Sequence, residues 1–151
     1  METKSTYSFY AFGTEQVVEL DALLNPADVT DPEYHKFLTH HYAAISELRG
    51  QAKVEWSQAK LATEKEFNLR YLAWLQHYET QARRPTREHL RACVETEDQW
   101  MALRQAELAA EANYEKAQNL CNSLWFHVKM VQAYTAGLAQ VVIDEIKRGG
   151  R

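Results

Sequence analysis

Three prolines, Pro26, Pro32 and Pro85, do most to limit how this 151-residue chain can fold. Proline in a helix interior removes an N–H and clashes with the preceding turn, so helices begin or stop at such points. From Pro32 to about Gln81 no proline intervenes and only Gly50 interrupts. Thr30-Asp31-Pro32-Glu33 reads as a helix start, with proline in the first turn and Glu33 completing a capping box with Thr30. A second box, Thr96-Glu97-Asp98-Gln99, opens another long run and puts two acids at the positive end of the helix dipole. Each predicted helix is about 50 residues, or roughly 75 Å at 1.5 Å per residue.

Apolar residues recur along both runs at a coiled-coil repeat. In the first the seam is Leu38, His41, Ile45, Leu48, Ala52, Glu55, Ala59, Ala62, Glu66, Leu69, Ala73 and Gln76. Eight of these twelve are apolar, and four of the eight are alanine, which lets a partner helix approach closely. In the second it is Trp100, Leu103, Glu107, Ala110, Tyr114, Ala117, Cys121, Leu124, Val128, Val131, Thr135, Leu138, Val142 and Glu145, eleven of fourteen apolar. Between the runs, Thr86 can cap a short helix, Arg87 to Glu95, with Leu90 and Val94 on one side. The expected fold is all-α: a long antiparallel, coiled-coil-like helical hairpin, residues 30–151, with a short helix at its tip.

Residues 1–29 read as a separate N-terminal arm. Residues 5–35 hold no Lys or Arg but six acids, and Tyr7, Phe9, Tyr10 and Phe12 crowd into six positions. Gly13 then precedes a predicted short amphipathic helix, Thr14 to Leu24, ended by Asn25-Pro26. The aromatics are expected to dock on the chain's own helices.

One stretch is too apolar for a two-helix hairpin. Leu120, Trp125, Phe126, Met130 and Tyr134 all fall off the seam, so the helix is hydrophobic nearly all round and needs cover on several sides. These five are the predicted interface of a homo-oligomer. The least polar run, Leu120 to Ile143, still contains Lys129, Asn122, His127, Gln132 and Gln140, which argues against a membrane span. With no secretory signal and no CxxC, Cys93 and Cys121 read as reduced thiols and the expected location is the cytoplasm.

Catalytic patterns are missing. No GxxxxGK[ST], GxGxxG or HExxH occurs, and five glycines leave little for a phosphate-cradling loop. His35, His40 and His41 lack partners at metal-ligand spacing. A non-enzyme with no cofactor and no metal is expected.

Charge clustering points elsewhere. The net charge is −4, yet residues 83–91 carry Arg83, Arg84, Arg87 and Arg91 against the single acid Glu88. Arginine binds phosphate through a forked pair of donors and stacks on bases, and a helix N-terminus at Thr86 adds free N–H groups. Lys147, Arg148 and Arg151 form a second basic group. Lys53, Lys60, Lys65 and Arg70 along the first long helix form a third, with Tyr71 and Trp74 nearby for stacking. The plain alternative is a polar turn and solvated helix faces.

The run Arg83-Arg84-Pro85-Thr86, then Val94-Glu95, then Leu103, Ala106, Leu108, Ala110 and Tyr114, then Leu124-Trp125-Phe126 and Met130-Val131, resembles small phage recombination mediators of the UvsY type. The resemblance spans residues 34–148. It implies an oligomer that binds single-stranded DNA and helps load a recombinase in place of a single-strand-binding protein, in the cytoplasm of an infected bacterium. Those mediators carry a Leu-Lys-x-Arg motif; here Phe67-Asn68-Leu69-Arg70-Tyr71 keeps the arginine and has Asn68 where lysine is expected. The rival expectation is an oligomeric helical adaptor or inhibitor that binds only proteins, acting between phage and host.

Overall fold

A computed structural model describes residues 6–24, 31–81 and 83–149, without the side chains of residues 142 and 145–149. In order come β1 (Thr6–Ala11), β2 (Thr14–Glu19), α1 (Leu20–Leu23), α2 (Pro32–Thr80), α3 (Arg87–Glu95) and α4 (Asp98–Gly149). Two long helices packed against each other, joined through a short one, are the expected helical hairpin.

The arm departs from expectation. Thr14 to Glu19 is a strand, and only Leu20–Leu23 is helical. The two strands pair antiparallel, Tyr7 opposite Val18, Phe9 opposite Gln16 and Ala11 opposite Thr14. Phe12 and Gly13 form the connection with φ of 55° and 71°. Positive φ at both central residues matches the right-handed twist of paired strands, and glycine supplies one of them without strain. β-Branched Thr14, Val17 and Val18 favour this extended state. Of the crowded aromatics, Phe9 is buried, whereas Tyr10 and Phe12 are exposed.

The second predicted capping box, at Thr96 to Gln99, does not form as written. In the first, Thr30 lies outside the described residues; Asp31 Oδ1 accepts from the Glu33 N–H at 2.9 Å, and Glu33 pairs with Lys36 at 2.7 Å. Thr96 ends α3, its hydroxyl donating to the Cys93 carbonyl at 2.9 Å. Glu97 starts α4 through its backbone, its carbonyl accepting from the Met101 N–H at 2.9 Å. The side chains of Glu97 and Gln99 turn instead to α2.

The chain forms two compact units, residues 1–50 with 115–151, and residues 51–114. In the first, Leu38 packs with Val128 and Val131, flanked by Leu24, Tyr34 and Tyr42. Ile45, Ala117, Leu120, Cys121 and Leu124 are buried in the same unit, and the Tyr42 ring lies 5.1 Å from that of Trp125. The Tyr34 hydroxyl donates to the Leu23 carbonyl at 3.3 Å, tying α2 to α1, and burial raises its pKa. In the second, Trp56 stacks on Tyr114 at 5.4 Å, Phe67 meets Trp100 edge-on at 6.3 Å, and Thr63 donates to the carbonyls of Ala59 and Leu103. In each unit α4 partners fall in number as α2 residues rise, which is antiparallel packing.

The α4 seam holds from Ala117 through Val131, all five positions buried. Beyond it Thr135 and Leu138 are exposed. The α2 seam does not hold. Leu38, Ile45 and Ala52 are buried, but Ala62, Leu69, Ala73 and Gln76 are exposed. Thr63, Phe67, Arg70 and Trp74 face inward in their place. A straight helix drifts about 20° per heptad against a 3.5-residue repeat, so over five heptads the predicted seam rotates to the surface.

Leu120 is corrected by its burial. It is fully enclosed by its own unit and is not surplus surface, whereas Trp125, Phe126, Met130 and Tyr134 remain exposed as expected. No helix among the described residues is long and apolar enough to cross a membrane.

Candidate nucleic-acid interface

The arginine turn is built from both of its ends. At the close of α2 the N–H groups of Gln81 and Arg83 both donate to the Tyr78 carbonyl at 3.1 Å, and Pro85 follows. Thr86 then caps α3 as expected: its hydroxyl accepts from the His89 N–H at 3.2 Å. Leu90 and Val94 are buried and seat α3 on its unit.

A second layer of side chains fixes the turn. The Tyr78 hydroxyl lies 2.6 Å from His89 Nε2, and Cys93 Sγ lies 3.8 Å from the same nitrogen. Partial burial, with the bond to Cys93, raises the Tyr78 pKa, and the positive charge of Arg83 pulls it the other way. This trio joins the last turn of α2 to α3, so Arg83, Arg84 and Arg87 are displayed on a braced connection.

The eight predicted contact residues divide into four groups. Arg83, Arg84, Arg87 and Lys65 are exposed, with no side-chain ion pair among the described residues. Arg91 is exposed but bonded to Glu95 at 2.7 Å. Arg70 is the correction. It bonds Glu66 at 2.7 Å, lies 3.3 Å from Glu97 and also bonds Gln99, and the hydrogen bond to Glu66 does most to raise its pKa. Trp74 donates to Glu97 at 2.6 Å, and Tyr71 stacks with Phe67. The Arg70 and Trp74 part of the predicted basic-and-aromatic strip of α2 is thus an internal clamp onto the start of α4: a half-exposed guanidinium near two carboxylates satisfies its forked donors within the chain. The side chains of Lys147 and Arg148 lie outside the described residues.

Arg83 and Arg84 line a cleft of about 520 Å³ with Leu75, Glu79 and Pro85. Glu79 adds a negative charge to that lining and opposes an anion there, whereas Arg87 and the start of α3 are not part of the lining. A groove of the same unit, lined in part by Lys60, Arg91 and Arg104 and by Glu64, Glu95 and Glu107, balances its charges and draws no net anion. Sequence reading missed Arg104 there; its one signal is Glu107 three residues on, the helical spacing of an ion pair, and the two bond at 2.7 Å. Among the described residues no group of three or more His, Cys, Asp or Glu side chains is placed to hold a metal ion. No protein-family model, curated protein or solved structure matches the chain.

Proposed function

We propose that this chain is a helical, self-associating protein that binds single-stranded DNA through its arginine turn and assists the loading of a recombinase in place of a single-strand-binding protein. The observation that carries the reading is the set Arg83, Arg84 and Arg87: three exposed guanidinium groups with no acid partner among the described residues, in a chain of net charge −4 whose Arg70, Arg91 and Arg104 all have one. The role in recombination rests on the sequence resemblance alone. A protein-only adaptor is the second reading, favoured by exposed Phe126, Met130 and Tyr134 on α4 and by exposed Leu61, Leu69 and Leu72 on α2.

Titration of a labelled single-stranded oligonucleotide at low and moderate salt separates the two. Each neutralised phosphate releases about 0.7 counterion, so the triple variant Arg83→Ala, Arg84→Ala, Arg87→Ala should lower the salt slope by about 2 and weaken binding at moderate salt by orders of magnitude. Its thermal stability should hardly change, since exposed charges contribute about 0–1 kcal/mol each. Unchanged affinity in the triple variant removes the turn from the binding surface. No binding by the wild-type chain leaves the adaptor reading.

A further inference from the structure

Exposed residues on α4 form a second seam, separate from the one that packs on α2. Phe126, Met130, Ala133 and Gly137 follow each other at spacings of four, three and four, and so share one face of the helix. Phe126 is 62% exposed and Met130 57% exposed, and Ala133 and Gly137 are exposed too. Among the described residues nothing accounts for Gly137: its φ is not positive, and an added Cβ would meet nothing within 4 Å. Glycine inside a helix is destabilising relative to alanine, so an exposed one on an apolar stripe marks a close approach by another backbone.

The order of sizes selects the partner. The spacing reads the same in both directions, but the sizes do not: two large residues are followed by two small ones. Turning a second copy of the stripe end for end places Phe126 over Gly137 and Met130 over Ala133, large against small at all four layers. A parallel copy would set Phe126 against Phe126 and leave Gly137 facing Gly137. Charge points the same way: between Lys116 and Asp144 only Lys129 carries a formal charge, with histidine neutral, so the face has little for a charged partner or a nucleic acid to read.

We infer that α4 pairs with α4 of a second copy, antiparallel about a two-fold axis between residues 131 and 132, through Phe126, Met130, Ala133 and Gly137. Such an interface is isologous and closes as a dimer. It does not depend on the arginine turn, so the two proposals fail separately. Three helical turns bury less than a standard interface, so the full chain should be dimeric at about 100 µM and dissociate on dilution.

Sedimentation equilibrium on the full chain tests this. Gly137→Leu fills the hole under Phe126 and should weaken the dimer at least about tenfold, with helical content by circular dichroism unchanged. Phe126→Ala should weaken it likewise, and combining the two, which exchanges large for small in both layers, should recover most of the loss. Orientation is read by cross-linking in a Cys93→Ser background: Met130→Cys mixed with Ala133→Cys should form a disulfide-linked heterodimer, while neither alone should do so readily. A monomeric wild type at about 100 µM, or a Gly137→Leu chain that dimerises as well as wild type, would overturn the pairing. Preferential self-cross-linking of Met130→Cys would overturn its antiparallel sense.

Discussion

Leu120 and Phe126 are both large apolar residues of α4, six positions apart, and they have opposite fates. Leu120 is wholly enclosed with Ala117, Cys121 and Leu124, whereas most of the Phe126 ring faces outward. Truncation at an enclosed site loses transfer energy and leaves a cavity, so Leu120→Ala should cost about 2–5 kcal/mol by chemical denaturation. A loss below about 1 kcal/mol would mean that position 120 is not core. The arginines divide in the same manner. Arg70 and Arg83 look alike in sequence, each with a glutamate four residues before it, but Arg70 bonds Glu66 and lies near Glu97 across the helix pair, while Arg83 forms no ion pair among the described residues even with Glu79 lining the same cleft. A basic residue reads as available in a sequence because its distant acid partner cannot be seen there.

Among the elements, α2 and the start of α4 are joined by polar side chains where the predicted apolar seam has turned away. Glu97 accepts from Trp74 and pairs with Arg70, and its side chain is only 23% exposed. Removing it leaves a half-buried indole N–H and a guanidinium short of a partner, so Glu97→Ala should destabilise by about 1–3 kcal/mol. Asp98→Ala, one residue on and exposed, should cost less than about 1 kcal/mol. Equal losses in urea unfolding for the two variants would show that Glu97 acts only on the helix dipole. A capping box could be read at Thr96 to Gln99 because the residue types fit, but the same glutamate and glutamine are also the right length to cross to a neighbouring helix, and crossing won.

At the scale of the whole molecule, the strand pair belongs to the unit that holds both the first part of α2 and the apolar end of α4. Phe9, Ala11 and Leu20 are its buried residues, and Leu23 accepts from Tyr34. α2 has its own start at Asp31, so deleting residues 1–24 should preserve most of the helical signal by circular dichroism. It should also lower the melting temperature by several degrees, since a shift of 1 kcal/mol moves Tm by about 2–8 °C in domains of this size. Loss of most of the helical signal would mean that the strand pair is part of the folding core. The arginine turn belongs to the other unit, so the oligonucleotide binding proposed for it should be equal in the full and truncated chains.

The sequence by itself determined the long helices and the break between them, because proline placement and apolar spacing act locally and leave few alternatives. It also determined the Thr86 cap and the α4 seam through Val131. Tertiary structure decided the rest. Thr14 to Glu19 became a strand because six residues are too few to separate a period of 3.6 from one of 2, and the Phe12–Gly13 turn offered a partner strand. The α2 seam moved because a straight helix does not keep a 3.5-residue repeat. Arg70 became a clamp, while Arg83, Arg84 and Arg87 have no ion pair among the described residues, because an ion pair depends on which acid the fold brings within reach: Glu66 and Glu79 stand equally far before Arg70 and Arg83, and only the first is bonded.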